Sequence, residues 1–255
     1  MKTVFELSSD ITTILCVEAL KVKRSPVLMM VVALPFLVII FSLGLALKSA
    51  DLSLYNSNQW TSWWANVNAL WCYFMMPLLV ALITGAINGN EHKNHTWRLM
   101  LALPVNLTIF YVSKLFLSLL FVIVSTFALW FFGLLATLIM YLFGALFDVS
   151  YGYTLLVAIP KIVIASLPIL VIQHFISWRL NSMIGALAVG VVATMGIVQI
   201  GSSEYWVYFP WSYMLMASMS TSVALQEKAV WLSLFIAIVL FVFSLKFISQ
   251  GKRAG

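Results

Sequence analysis

The densest set of chemically competent side chains lies in one short polar stretch, Asn88-Gly89-Asn90-Glu91-His92-Lys93-Asn94-His95-Thr96-Trp97-Arg98-Leu99-Met100-Leu101-Ala102-Leu103-Pro104. Glu91, His92 and His95 offer donors that suit a divalent metal, but no further residue completes a ligand set, and surface histidines at a docking interface are the stronger reading. Glu91, His95 and Arg98 stand at offsets of four and three, so two turns of helix would place them on one face, with Trp97 and Met100 elsewhere. The spacing predicts a short amphipathic element with an aromatic anchor and a charged rim, ended by Pro104, a form that docks onto a partner protein. A solvated loop whose Trp97 rests on lipid reads equally well. Elsewhere the chemistry is sparse. No Ser/His/Asp or Cys/His set shares a depth, so no nucleophile–base pair is visible. Met214, Met216 and Met219 would suit Cu(I), though adaptable apolar packing is the stronger reading. Cys16 and Cys72 are too few and too far apart for a disulfide framework or a zinc site.

These residues must be positioned by very apolar elements. Of 255 residues, 63% are hydrophobic and only 9% charged, and mean hydropathy is +1.06. A water-soluble domain would carry about a quarter of its residues charged. The apolar runs are long and continuous, which excludes the alternating pattern of a membrane β-barrel and requires helices. Apolar periodicity places spans at about 27–47, 65–87, 106–146, 153–177, 183–201 and 229–247. The third run would extend about 62 Å as one helix, twice the hydrocarbon thickness, so it reads either as two helices turning near Gly133 or as one crossing with a tilted or re-entrant outer part. Charge decides between them. With one crossing, most Lys and Arg residues fall on one side, whereas a double crossing would destroy that asymmetry. The expectation is an all-α integral membrane protein forming a single transmembrane domain over 1–255, with six crossings and both termini in the cytosol. The net charge of +6 follows the ends of the runs and forms no patch for nucleic acid.

Two flanking segments complete the plan. Residues 1–26 read as an amphipathic helix on the cytosolic surface. Val4, Leu7, Ile11, Ile14 and Leu15 would meet the membrane, and Lys21, Lys23 and Arg24 the headgroups. Residues 202–222 are aromatic, rich in Met and too short to cross, so they are expected to dip into the outer interface before the last span. Trp60, Trp63 and Trp64 are expected at headgroup level too. Lys161, behind Pro160 in span four, is a candidate intramembrane charge, since a charge in hydrocarbon costs ~3 kcal/mol or more; snorkelling of its stem to the outer surface is the favoured reading. Ala186, Gly190 and Thr194 form a small-residue stripe in span five, suited either to a homodimer seam or to packing within one protomer.

The pattern Asn90-Glu91-x-x-x-x-Thr96-Trp97-Arg98-x-x-x-x-Leu103-Pro104, followed by Lys114 early in the next span, resembles the permease subunits of ABC-2-type transporters. It is most similar to the small bacterial branch that includes lantibiotic-immunity and related peptide-export permeases. The surface helix ending Glu18-Ala19-x-Lys21-x-Lys23-Arg24, the six spans and the segment Tyr208-Phe209-Pro210-Trp211 extend the likeness over nearly the whole chain. The resemblance implies that Glu91, Thr96, Trp97, Arg98 and Pro104 belong to a coupling helix lodged in a separate ATPase subunit. It also implies a second permease half, identical or homologous, and residence in the bacterial cytoplasmic membrane. No Gly-x-x-x-x-Gly-Lys-Ser/Thr motif occurs, so ATP and magnesium are expected on the partner and no cofactor on this chain. The expected function is export, or clearance from the membrane, of a hydrophobic or amphipathic cargo such as an antimicrobial peptide. ATPase closure would press on the 90–104 loop and the surface helix and move spans one, two and five. A non-transporting anchor or sensor subunit, and a secondary carrier, are the alternatives.

Overall fold

The computed structural model describes residues 4–23, 25–49, 57–93, 106–146, 150–180, 182–201, 203–219 and 222–251; for 4–11, 49, 57–58, 90–93, 150–155, 219 and 251 it describes the backbone alone. Helices α1 (Val4–Val22), α2 (Val27–Ser49), α3 (Ser57–Leu70), α4 (Met76–Lys93), α5 (Leu107–Leu142), α6 (Ser150–Arg179), α7 (Met183–Ile200), α8 (Tyr213–Met219) and α9 (Val223–Gly251) follow in order. A π turn at Trp71–Met75 joins α3 to α4, and two 3-10 turns, Glu204–Tyr208 and Pro210–Ser212, precede α8. Six helical stretches are long and apolar enough to cross a membrane: α2, the α3–α4 unit, α5, α6, α7 and α9. They are spans one to six, and the side that carries α1 is called the near side.

Each boundary has a local cause. Asn106 caps α5, its side chain accepting from the Thr108 amide at 3.1 Å, and Ser182 caps α7 in the same way through Gly185. At the far end of α5, Gly144 adopts φ of 100°. There the Gly144 amide bonds to Tyr141 and the Ala145 amide to Met140, the paired closure that a left-handed residue permits. The third apolar run is therefore one continuous helix with no turn near Gly133. That glycine instead receives the Trp64 ring, which a Cβ would overlap. At 1.5 Å per residue its 36 residues span about 54 Å. Spans two, four and six also begin earlier than the apolar pattern predicts, at Ser57, Ser150 and Val223.

Spans two, three and four form the centre of the bundle, each packed on the other two, while span one leans on span three, span five on span two and span six on span four. Burial follows this plan: 67% of the apolar window of span two is buried but only 22% for spans five and six. The backbone must be satisfied inside the bundle, because lipid offers no partners. Pro35 lacks the N–H that would bond to the Val31 carbonyl. Ser125 of span three replaces it, donating its hydroxyl to that carbonyl at 2.8 Å.

The three tryptophans expected at headgroup level are buried. Trp60 donates its indole N–H to the Leu146 carbonyl at 2.9 Å and Trp63 to the Ser42 carbonyl at 3.3 Å, so they staple span two to spans three and one. An indole needs an apolar body and one acceptor, and a protein interior supplies both as well as a lipid interface does.

Removing the Ser125 hydroxyl should uncover the proline defect. Ser125→Ala is expected to cost about 1 kcal/mol, read as a lower melting temperature of the purified protein. In a Pro35→Ala background, where the backbone N–H returns, the same substitution should cost almost nothing.

Candidate functional site

The segment most suited to docking, residues 94–105, lies outside the described residues, and with it His95, Thr96, Trp97, Arg98 and Pro104; so does Arg24. Glu91 and His92 fall within the last turn of α4, described by backbone alone. What is described is how the two roots of that segment, the ends of α4 and α5, are held.

Lys114 is fully buried, two turns into span three. Its ammonium lies 3.1 Å from Glu18 Oε2 on α1, donates to the Ile87 carbonyl near the end of span two at 2.8 Å and sits 4.8 Å from the Phe110 ring centre. Glu18 is 2% exposed, and its other oxygen accepts from Lys21 at 2.6 Å. A lysine can be buried in this way when an anion neutralises it and acceptors fill its donor positions. One contact set thus ties α1 to both roots of the 94–105 segment. Lys21 faces this pair as well as solvent, while Lys23 is exposed. The inward stripe of α1 is Leu15, Glu18 and Val22, with Leu15 half-buried and the other two buried. The helical spacing of its apolar residues did not foretell an acid on that stripe.

The next residue of span two continues the network. Asn88 Nδ2 donates to Ser177 Oγ at 2.7 Å and to His174 Nδ1 at 3.2 Å, both on span four. His174 Nδ1 is then an acceptor, so Nε2 carries the proton and donates to the Tyr111 carbonyl of span three at 3.2 Å. Ser177 donates to the His174 carbonyl at 3.0 Å. Tyr111 stands one turn before Lys114, which closes the circuit: Lys114, Ile87, Asn88, His174, Tyr111. Trp178 packs edge-on against Tyr111 and Phe110. The ring joins spans two, three and four at one level, immediately beyond the roots of the segment.

The remaining candidates lie apart from this ring. Lys161 is half-buried and donates to Gln226 of span six at 2.8 Å. Ala186, Gly190 and Thr194 are buried within the protomer, Gly190 against Ala81 of span two. Met214 and Met216 are buried in α8, which packs on spans four and six. Among the described residues no group of three or more His, Cys, Asp or Glu side chains is placed to hold a metal. What the described arrangement does is tie α1 to spans two, three and four through one buried polar network.

Residues 14–197 match the model of the family described as ABC-2 family transporter protein. That match begins just before Glu18, contains every member of the ring and covers most of the chain, so the chain belongs to this family of transporter membrane subunits. No curated protein and no solved structure matches it. Membership implies a membrane-embedded subunit that works with a separate ATPase.

The clasp on Lys114 should be asymmetric to mutation. Glu18→Gln leaves a buried ammonium without its anion and is expected to cost ~3–5 kcal/mol. Glu18→Gln combined with Lys114→Met removes both charges and should recover most of that loss, as read by thermal unfolding and by protease access to α1.

Proposed function

We propose that this chain is the permease half of an ATP-driven exporter, paired with a second permease half and two cytosolic ATPase subunits that bind ATP and magnesium. The near side then faces the cytosol, with both termini, in the cytoplasmic membrane of a bacterium. The asymmetry of Lys and Arg supports that orientation. The observation that carries the reading is the Glu18–Lys114–Ile87 clasp, joined to membership of the ABC-2 family. It binds the surface helix and both roots of the 90–104 loop into one unit, which suits a place where an outside motor pushes.

On this reading Glu91, Thr96, Trp97, Arg98 and Pro104 form the coupling element, with His92 and His95 at its margin. ATPase closure displaces that element and α1 together. Because Asn88 and Lys114 tie span two to spans three and four, the push reaches a three-helix block rather than span two alone. The cargo is hydrophobic or amphipathic, a peptide of the antimicrobial type, since the spans offer few charges to a hydrophilic ion or sugar. The surface helix and the segment 204–219 serve as interfacial elements on the two sides; exposed Tyr205 and Tyr208 suit the outer headgroups.

Glu91→Ala with Trp97→Ala tests the coupling role in the complex purified from native membranes. The double variant is expected to insert normally but to retain its ATPase partner at least about tenfold less well, an anchor-residue effect. Unchanged recruitment and unchanged ATP hydrolysis would remove the loop from the mechanism.

A further inference from the structure

Span five meets span two through two matched ladders of small residues. Span two presents Ala81, Gly85 and Gly89, and span five presents Met183, Ala186, Gly190 and Thr194, running in the opposite direction. A Cβ placed on Gly190 would lie 2.5 Å from Ala81 Cβ and 3.0 Å from Gln173 Nε2; one placed on Gly89 would lie 3.1 Å from Met183 Cβ. The backbones are therefore close where Gly190 meets Ala81, while at the other end the Met183 side chain lies along Gly85 and Gly89, its Cγ 3.6 Å from where a Gly85 Cβ would stand.

Gln173, on span four, reaches the same junction. It is fully buried, and among the described residues neither its amide nitrogen nor its amide oxygen has a hydrogen-bond partner. An amide left unpaired in an apolar interior is costly. The hydroxyls that the two helices offer are committed elsewhere: Thr84 donates to the Val80 carbonyl at 2.8 Å and Thr194 to the Gly190 carbonyl at 2.7 Å. The neighbouring residue, His174, is paired at both ring nitrogens.

We infer that the seam between spans two and five is the joint at which the permease changes state, with Gln173 its positioning residue, unpaired here and paired in the other state. The small residues Ala81, Gly85 and Gly89 repeat every four positions, as do Ala186, Gly190 and Thr194, close to one turn. A shift of about one turn, ~5.4 Å, sets small residues against small residues again, which gives two discrete registers rather than a continuum. Such a shift carries Gly190 and Thr194 past the Gln173 amide and brings it the partners it lacks here. The seam is bistable for a physical reason: the register that packs well here leaves one buried amide unsatisfied. This inference rests on the exporter reading for what drives the shift, but not for the unpaired amide itself.

Two measurements test it. Gln173→Leu keeps the volume and removes the amide, so the purified permease should melt roughly 2–4 °C higher, while ATP hydrolysis by the native complex falls about tenfold because the present register is favoured. A lower melting temperature would show that the amide is already satisfied, and an unchanged hydrolysis rate would show that it has no part in the cycle; either overturns the joint. Second, Gly89→Cys with Met183→Cys in a Cys16→Ser background places two Cβ atoms 3.1 Å apart, a few tenths of an ångström inside the usual Cβ separation of a disulfide. The oxidised complex should lose ATP-coupled turnover and the same sample should regain it on reduction. Equal rates in the two forms would overturn the joint. A reduced complex with no ATP hydrolysis would instead overturn the exporter reading, and the melting shift of Gln173→Leu would still decide the state of the amide.

Discussion

An ammonium group cannot sit in a membrane-embedded helix bundle without an anion, and Lys114 imposes that condition on everything near it. Its charge requires Glu18, which requires α1 to lie against span three with an acid on its inward stripe. Its remaining donor capacity is met in part by the Ile87 carbonyl, which fixes the end of span two against the start of span three. A leucine at this position would pack as well and ask for nothing. The lysine makes the approach of three chain segments a single condition, because loss of any one leaves a buried polar group exposed to hydrocarbon. That interdependence is what distinguishes a coupling element from ordinary packing.

The same constraint, that lipid supplies no hydrogen bonds, explains features of the bundle that look unrelated. Ser125 bonds to a carbonyl on a neighbouring helix because Pro35 has left that carbonyl without its own amide. The π turn at Trp71–Met75 directly precedes Pro77, where the Met76 amide reaches back to the Trp71 carbonyl; local rewinding accommodates the missing donor there. Trp60 and Trp63 point inward for the same reason. Trp63 finds a backbone acceptor on α2 and Trp60 one at Leu146 just past α5, and the far ends of spans one to three are held together as a result.

The six helices long and apolar enough to cross a membrane were legible in the sequence, because the hydrocarbon thickness demands runs of about 20 apolar residues wherever a helix spans. So was the single passage of the third run, through charge counting alone. The partner of Lys114 was not legible: Glu18 belongs to a helix distant in sequence, and helical spacing marks a face without saying what covers it. Asn88 reads in the sequence only as the start of the polar stretch, and His174 and Gln173 carry no motif, although the rarity of polar residues in apolar runs was the available signal. The period-four rule that picks out Ala186, Gly190 and Thr194 picks out Ala81, Gly85 and Gly89 just as well. The two stripes could have been paired before any coordinates existed. The tryptophans were misplaced because an amphipathic ring is equally content at a lipid interface or inside protein.

Span four carries the division between what is held and what is free. Successive residues on a helix point about 100° apart, so His174 and Gln173 address different neighbours. His174 turns to spans two and three and is paired at both nitrogens; Gln173 turns to the small-residue contact of spans two and five and is paired at neither amide atom. If polar groups in the bundle served stability alone, both positions would be satisfied or both apolar, since an unpaired amide is worse than a methyl group of the same volume. One saturated and one empty position on adjacent residues place the stiff side of span four toward the block and its adaptable side toward span five. The contact of spans two and five is thus the one that Gln173 touches without a hydrogen bond among the described residues.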